Sequence, residues 1–341
     1  MSSVTALLGA GFSAAAGLPM ANQIFDDESL PPHKSSERSE LLEVVRDYKS
    51  WLAENPDASV EEWLLSVYDN ISFDLFAEPI VNKKWQSALK FLLRRLSENT
   101  DADHSPYYYG VSRYQSHPNH TKFWDCLISN GLQSIISLNY DILVERALHT
   151  QTDDKKTTPE FTYGGFPHPT YVDKMINKAA PKGQKSVPFK LGSRYQIYKL
   201  HGSLNWAFDV HQPNMKCYDD VRAIFRVDDS MGIPAVIPPL PEKNLPPRFA
   251  TIWNDAKQAL KKSNKLIVCG YSLPDYDFEM RRWLAEALKD STISQLAVLD
   301  PNSKKLVGRW KDLVPSKCDI VPLQGIPGSI DSGALQNFLD G

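Results

Sequence analysis

Apolar and polar residues follow two rhythms along this chain. Short, mostly apolar runs that end in glycine or polar clusters occur at Val4–Leu8, Ser134–Leu138, Gln196–Leu200, Lys265–Cys269, Leu296–Leu299 and Ile320–Leu323. Runs of that length without a polar face read as strands buried on both sides, the habit of a parallel sheet. Between them, apolar residues recur every three or four positions. In Glu40–Glu54 the stripe is Leu41, Leu42, Val45, Tyr48, Trp51 and Leu52, and similar spacing marks Val60–Val67, Ile80–Leu96, Asp141–His149, Phe249–Lys262, Phe278–Leu288 and Lys304–Lys311. Such stripes predict helices with one buried face. Ala235–Ile237 is a further apolar run, but Pro238 and Pro239 would stop it as a central strand. Strands and helices alternating in this way predict an α/β fold, a parallel sheet with helices on both faces.

The alternation fails between residues 21 and 130. Gly17 to Ser36 is turn-rich and polar, the next stretches have helical spacing only, and Asp101–Asn119 reads as a long loop carrying Tyr107, Tyr108 and Tyr109. We therefore expect a sheet-bearing domain made of residues 1–20 and 131–341, interrupted by a mainly helical insertion or cap over 21–130. Trp51, Trp63, Trp85 and the three tyrosines could line a lid or an oligomer surface, but apolar spacing of this kind is more often that of a core. Thr150–Gly192, rich in Gly, Pro and Lys, is expected to form an irregular excursion.

Composition narrows the function. With 341 residues, 42% hydrophobic and 23% charged, the chain can bury a large core. A net charge of -3 and the lack of a Lys/Arg block give no footprint for direct nucleic-acid binding. No apolar run reaches the roughly 18 residues of a membrane helix, and Met1–Leu8 lacks the basic start of a signal peptide, so a cytoplasmic location is the default expectation. Cys126, Cys217, Cys269 and Cys318 lie about 50 to 90 residues apart with no C-x-x-C pair, so they read as reduced structural thiols and not as a metal site.

The candidate chemistry lies at the strand ends. Five strand candidates terminate in polar or glycine clusters: Gly9-Ala10-Gly11-Phe12-Ser13, Asn139-Tyr140-Asp141, His201-Gly202-Ser203, Gly270-Tyr271-Ser272 and Asp300-Pro301-Asn302. In an open parallel sheet all carboxyl ends share one edge, and ligands bind there. Gly9-x-Gly11-x-x-Ala14 between a strand and a helix is a variant of the pyrophosphate-binding turn, in which missing Cβ atoms let amides approach phosphate. Ser13 adds a hydroxyl. About twenty residues on, where a dehydrogenase would carry an acidic residue for the adenine ribose, the chain has Pro31, Pro32 and Lys34. Asn139 and Asp141 can hold ribose hydroxyls, a carboxamide or a water, although Asp141 also suits a helix cap. His201, at a strand end beside glycine, is placed to act as a general base near neutral pH. Gly270 and Ser272 suit phosphate or ribose contact. Asp300 suits the two hydroxyls of the adenosine ribose, and also a turn before Pro301.

Taken together and in this order, the clusters resemble the sirtuin superfamily, most nearly its prokaryotic sirtuin-like members that deplete NAD in antiphage defence. Gly9–Ser13 with Gly17-Leu18-Pro19 resembles the NAD-binding opening, Asn139-Tyr140-Asp141 the Asn-x-Asp motif, Lys199-Leu200-His201-Gly202-Ser203 the His-Gly motif, and Gly270-Tyr271-Ser272 with Asp300 the later cofactor turns. The resemblance covers about residues 4–20 and 131–325 and implies a Rossmann-like α/β domain. It implies NAD as substrate, without a metal. Asn139, His201 and Asp141 would be catalytic, and Gly9, Ala10, Gly11, Phe12, Ser13, Gly270, Ser272 and Asp300 would bind the cofactor. The protein-deacylating branch carries two zinc-binding Cys pairs and continues its opening into Asp-Phe-Arg. This chain has neither, since Met20-Ala21-Asn22 follows Pro19. An NAD-hydrolysing activity is therefore expected ahead of deacylation or a non-catalytic NAD/ADP-ribose-binding subunit. For its control, the resemblance implies a homo-oligomer or a separate activating protein, such as an ATPase/translocase or an argonaute-type protein.

Overall fold

The computed structural model describes residues 3–18, 20, 24–25, 35–68, 84, 87–89, 91–92, 96, 118–150, 161–165, 170–171, 195–208, 215–217, 233–238, 245, 247–275 and 277–341. Its strands are β1 (Val4–Leu8), β2 (Leu132–Ser137), β3 (Phe161–Tyr163), β4 (Thr170–Tyr171), β5 (Tyr195–Lys199), β6 (Gly202–Phe208), β7 (Met215–Cys217), β8 (Ile233–Val236), β9 (Lys265–Cys269), β10 (Gln295–Asp300) and β11 (Asp319–Gln324). Its helices are α1 (Ala10–Ala14), α2 (Ser35–Glu54), α3 (Val60–Tyr68), α4 (Pro118–Ser129), α5 (Leu143–Thr150), α6 (Pro247–Lys261), α7 (Phe278–Lys289), α8 (Ser303–Lys311), α9 (Gly325–Asp331) and α10 (Ala334–Asp340).

Seven strands form one sheet in the order β11-β10-β9-β1-β2-β5-β3, and every pairing in it is parallel. β1 and β9 lie at its centre and are buried along their whole length, which is why they contain no polar face to solvent. The chain extends the sheet in one direction from β1 through β2 to β5 and β3, and in the other from β9 through β10 to β11. Right-handed crossovers then put the two sets of connecting helices on opposite faces. α6 packs on β2, β5 and α7, while α4 packs on β2, α5, α9 and α10. The result is a Rossmann-like three-layer arrangement whose strand order reverses between β1 and β9.

Three features depart from the sequence reading. β3 lies inside the stretch expected to be irregular and joins the sheet edge beside β5. A second sheet, β4-β7-β6-β8, was not expected; β6 pairs antiparallel with β7 and β8. Pro234 sits in β8, at the end of that sheet, where a strand needs no second set of ladder donors. α4 begins at Pro118, where a loop was expected, and α9 and α10 close the chain.

Between α1 and α4 the described side chains form an aromatic cluster. Phe25 lies 4.5 Å from Tyr48, 5.0 Å from Trp63 and 4.8 Å from Phe91, ring centre to ring centre. Trp51 is half-buried against the core, whereas Trp85 and Tyr107–Tyr109 lie outside the described residues. At the amino edge of the main sheet, the buried Lys265 donates to the carbonyls of Phe338 (2.9 Å) and Leu339 (2.7 Å) and so ties α10 to β9. Among the described residues, no helix is long and apolar enough to cross a membrane.

Candidate functional site

The strand order reverses between β1 and β9, and the loops that leave these two strands cross there. Gly9 N donates to Cys269 O (3.0 Å), Gly11 N to Gly270 O (2.9 Å) and Phe12 N to Gly9 O (3.0 Å). A Cβ on Gly9 would fall 2.6 Å from Gly270 O, and one on Gly11 would fall 2.8 Å from Gly270 Cα. Gly270 itself has a positive φ of 66°. The glycines therefore have an internal reason, backbone crossing backbone, beside the phosphate approach read from the sequence. The Phe12 ring is wholly buried, with ring centres 4.6 Å from His120 and 5.8 Å from both Phe123 and Trp124. Its side chain anchors α1 to α4, so only its backbone belongs to the rim.

The loop leaving β2 is tied to this crossing. Asn139 Nδ2 donates to Gly9 O and to Ser13 Oγ, each at 2.9 Å. Ser13 Oγ in turn donates to Asp141 Oδ2 at 2.6 Å. The other carboxylate oxygen of Asp141 accepts from Leu143 N at 3.0 Å, which caps α5. Asn139, Ser13 and Asp141 thus form a single hydrogen-bonded row, with Asn139 half-buried and the other two buried.

His201 lies at the junction of the two sheets, between the end of β5 and the start of β6. Its imidazole packs edge-on against Tyr140 (6.3 Å) and Trp253 (6.0 Å). Trp253 Nε1 is held by Leu200 O at 2.8 Å, and Tyr140 OH donates to Ile237 O at 3.1 Å. Among the described residues, His201 Nδ1 has no hydrogen-bond partner. Burial lowers the imidazole pKa to about 4, so it is neutral at physiological pH. Gly202 turns the chain with a φ of 84°, and a Cβ there would fall 1.9 Å from Ala235 O.

The remaining candidates stand further along the rim. Ser272 is exposed, and its carbonyl accepts from Arg309 at 3.2 Å. Leu273 takes a positive φ of 52°, and both Arg281 (3.2 Å) and Arg309 (3.1 Å) donate to its carbonyl. Asp300 Oδ1 accepts from Asn302 N at 2.7 Å, the turn role weighed for it from sequence. Tyr271 OH donates to Asp277 Oδ2 at 2.7 Å, and Asp277 caps α7. Burial pushes the Glu61 carboxyl up and Asp277 adds to the effect; Tyr140 is pushed up by burial and then by Glu61.

Sequence reasoning missed what lies beneath. Lys199, the last residue of β5, and Glu145, in the first turn of α5, are both completely buried, with Lys199 Nζ 3.7 Å from Glu145 Oε1. Lys199 Nζ also donates to the Asp141 carbonyl. Glu145 Oε1 accepts from Tyr163 OH (3.1 Å), which accepts from Asn205 Nδ2 (3.1 Å). Burial pushes the Glu145 carboxyl up, opposed by Lys199. The signal available in the sequence was a lysine at an inward strand position between Tyr198 and Leu200. Cys126, Cys217, Cys269 and Cys318 are free thiols on separate elements, and burial raises all four; Cys126 and Cys318 reach about 11. Among the described residues no group of three His, Cys, Asp or Glu side chains is placed to hold a metal ion.

No family model matches the chain, and no curated protein matches it. Solved structures do. One is a Sir2 homologue in complex with NAD, with a TM-score of 0.48 and 16% identity, covering 99% of this chain and 89% of that one. Another is a Sir2 complex with an inhibitor, 2'-O-acetyl-ADP-ribose and a deacetylated peptide, with a TM-score of 0.42 and 12% identity, covering 98% and 94%. A third, from work on sirtuin substrate affinity, has a TM-score of 0.44 and 12% identity, covering 98% and 93%.

Proposed function

We propose that this chain is an NAD+ glycohydrolase that cleaves the nicotinamide–ribose bond, and that it acts as an NAD-depleting effector in antiphage defence. One observation carries the chemistry. A buried neutral imidazole, with no partner for Nδ1 among the described residues, lies beside the Asn139–Asp141 loop at the carboxyl rim. A polar nitrogen left unpaired in a packed interior calls for an explanation, and a proton-accepting role supplies one. The defence role is supported by the sequence motifs alone.

In this reading the C–N bond to nicotinamide breaks with both electrons passing to the ring nitrogen, and a water oxygen bonds to the ribose carbon. NAD+ and water give nicotinamide, ADP-ribose and one proton. Both Asn139 bonds use Nδ2, so its Oδ1 is available to orient the water or a ribose hydroxyl. Asp141 binds nicotinamide or supports Asn139 through Ser13. His201 contacts a ribose hydroxyl and receives the proton. Gly9 to Ser13, Gly270, Ser272 and Asp300 take the pyrophosphate and the adenosine side. Residues 1–20 and 131–341 form the NAD-binding unit and 21–130 a mainly helical insertion or cap, whose last helix, α4, packs back onto β2.

A second reading, an NAD- or ADP-ribose-binding subunit without turnover, draws on a different observation. The amides of Gly11 and Phe12, the Asn139 Nδ2 and both oxygens of Asp141 already have internal partners. Incubation of the purified chain with NAD, with products separated, decides between the two. Asn139→Ala and His201→Ala are each expected to slow cleavage by about 10²–10⁴-fold. Undiminished cleavage in both variants would remove the site assignment. Binding without turnover would favour the subunit, and turnover only with an acylated peptide would make the chain a deacylase.

A further inference from the structure

We infer that the buried Lys199–Glu145 pair is a positioning device for the Asn139–Asp141 loop, an inference that rests on the glycohydrolase reading for its catalytic consequence. The pair spans the elements that must be in register. Lys199 ends β5, which is parallel to β2 with Ser137 opposite Lys199, and Leu200 N donates to Ser137 O at 3.1 Å. From there the lysine reaches past the strand end and donates to the Asp141 carbonyl. The neighbouring Tyr140 carbonyl accepts from Leu204 N at 2.9 Å. The backbone of the loop is thus held from β5 and β6, while its side chains are held from β1 through Gly9 and Ser13.

Fold stability does not account for charge at this place. Removing an ammonium and a carboxylate from water is costly, and apolar residues of similar volume commonly serve a core as well or better. What an apolar pair cannot do is direct a hydrogen bond at one carbonyl. Glu145 keeps the lysine company at 3.7 Å and is itself fixed by Tyr163, which Asn205 holds from β6. The charge pair is therefore braced through Tyr163 and Asn205, and among the described residues its bond outside that brace goes to the loop. Lys199 and Glu145 do not touch the reacting atoms; they set where Asn139 and Asp141 stand.

The test uses the full chain with Lys199→Met/Glu145→Leu, which removes both charges together. The double variant is expected to fold with a Tm within about 5 °C of wild type. NAD affinity should change less than threefold and kcat should fall about 100-fold. Amide exchange of the 138–143 peptide should accelerate at least tenfold, while peptides over β10 and β11 stay unchanged. Unaltered kcat in the folded variant, or unaltered exchange in the loop, overturns the inference. Failure of the double variant to fold also overturns it, because the pair would then be a stability element. A wild-type chain that does not cleave NAD sinks the glycohydrolase reading instead, and loop exchange alone still decides whether the pair holds the loop.

Discussion

His201 is kept neutral by its packing, and that has a measurable sign. Its folded pKa of about 4 lies below the unfolded value of 6.5, so the unfolded chain binds the extra proton first. The stability tied to neutral His201 is complete above pH 6.5 and is lost as pH falls towards 4. The whole difference is on the order of 3 kcal/mol. Urea unfolding of wild type and His201→Gln across pH 4–7 should show a steeper acid loss in wild type; parallel curves would refute a buried neutral imidazole. The acid limb of kcat/KM should likewise fall below pH 5 and not near 6.5. At this scale the sequence was informative wherever a polar residue ended an apolar run, as at Asn139, Asp141 and His201. It named Lys199 only within the His-Gly motif and was silent on its pairing with Glu145, because that partnership joins residues 54 positions apart. Phe12 was misleading for a related reason. Its neighbours belong to the rim, but its ring belongs to the α4 core.

Among elements, β1 and β9 were legible because burial along their whole length leaves no choice but apolar side chains, and β2, β5 and β10 because most of their positions are buried; the edge strand β11, buried only at Leu323, was legible from its short apolar run. β3, β4 and β7, of two or three residues each, are too short for any periodicity to register, and β8 was visible only as the apolar run Ala235–Ile237 stopped by Pro238 and Pro239. The terminal helix α10 shows how a single side chain can fix an element. Lys265 satisfies two carbonyls of its last turn, a place where a helix has no partners of its own. Lys265→Met should lower stability by about 1–3 kcal/mol through the carbonyls left unpaired. Urea midpoints would measure this. Faster amide exchange confined to residues 334–340 would locate it, and a midpoint unchanged from wild type would refute it.

For the whole molecule, the decisive fact is where the strand order turns back. Five strand-end clusters scattered over some 290 residues of sequence meet along one edge only because every strand of the main sheet points the same way. Assembly is the next level of organisation. If turnover is controlled by a homo-oligomer, specific activity should rise with protein concentration in step with particle size measured by light scattering. Activity that is constant while size changes would direct the search to a separate activating protein. The contact of Gly9 and Gly11 with Gly270 bears on the same question from inside the chain. A Cβ on Gly9 would fall within 3 Å of Gly270 O and of Tyr271 Cα and Cβ, so the two turns pack directly against one another. Turns packed this closely are expected to move together, so an occupant that displaces one half of this edge should displace the other.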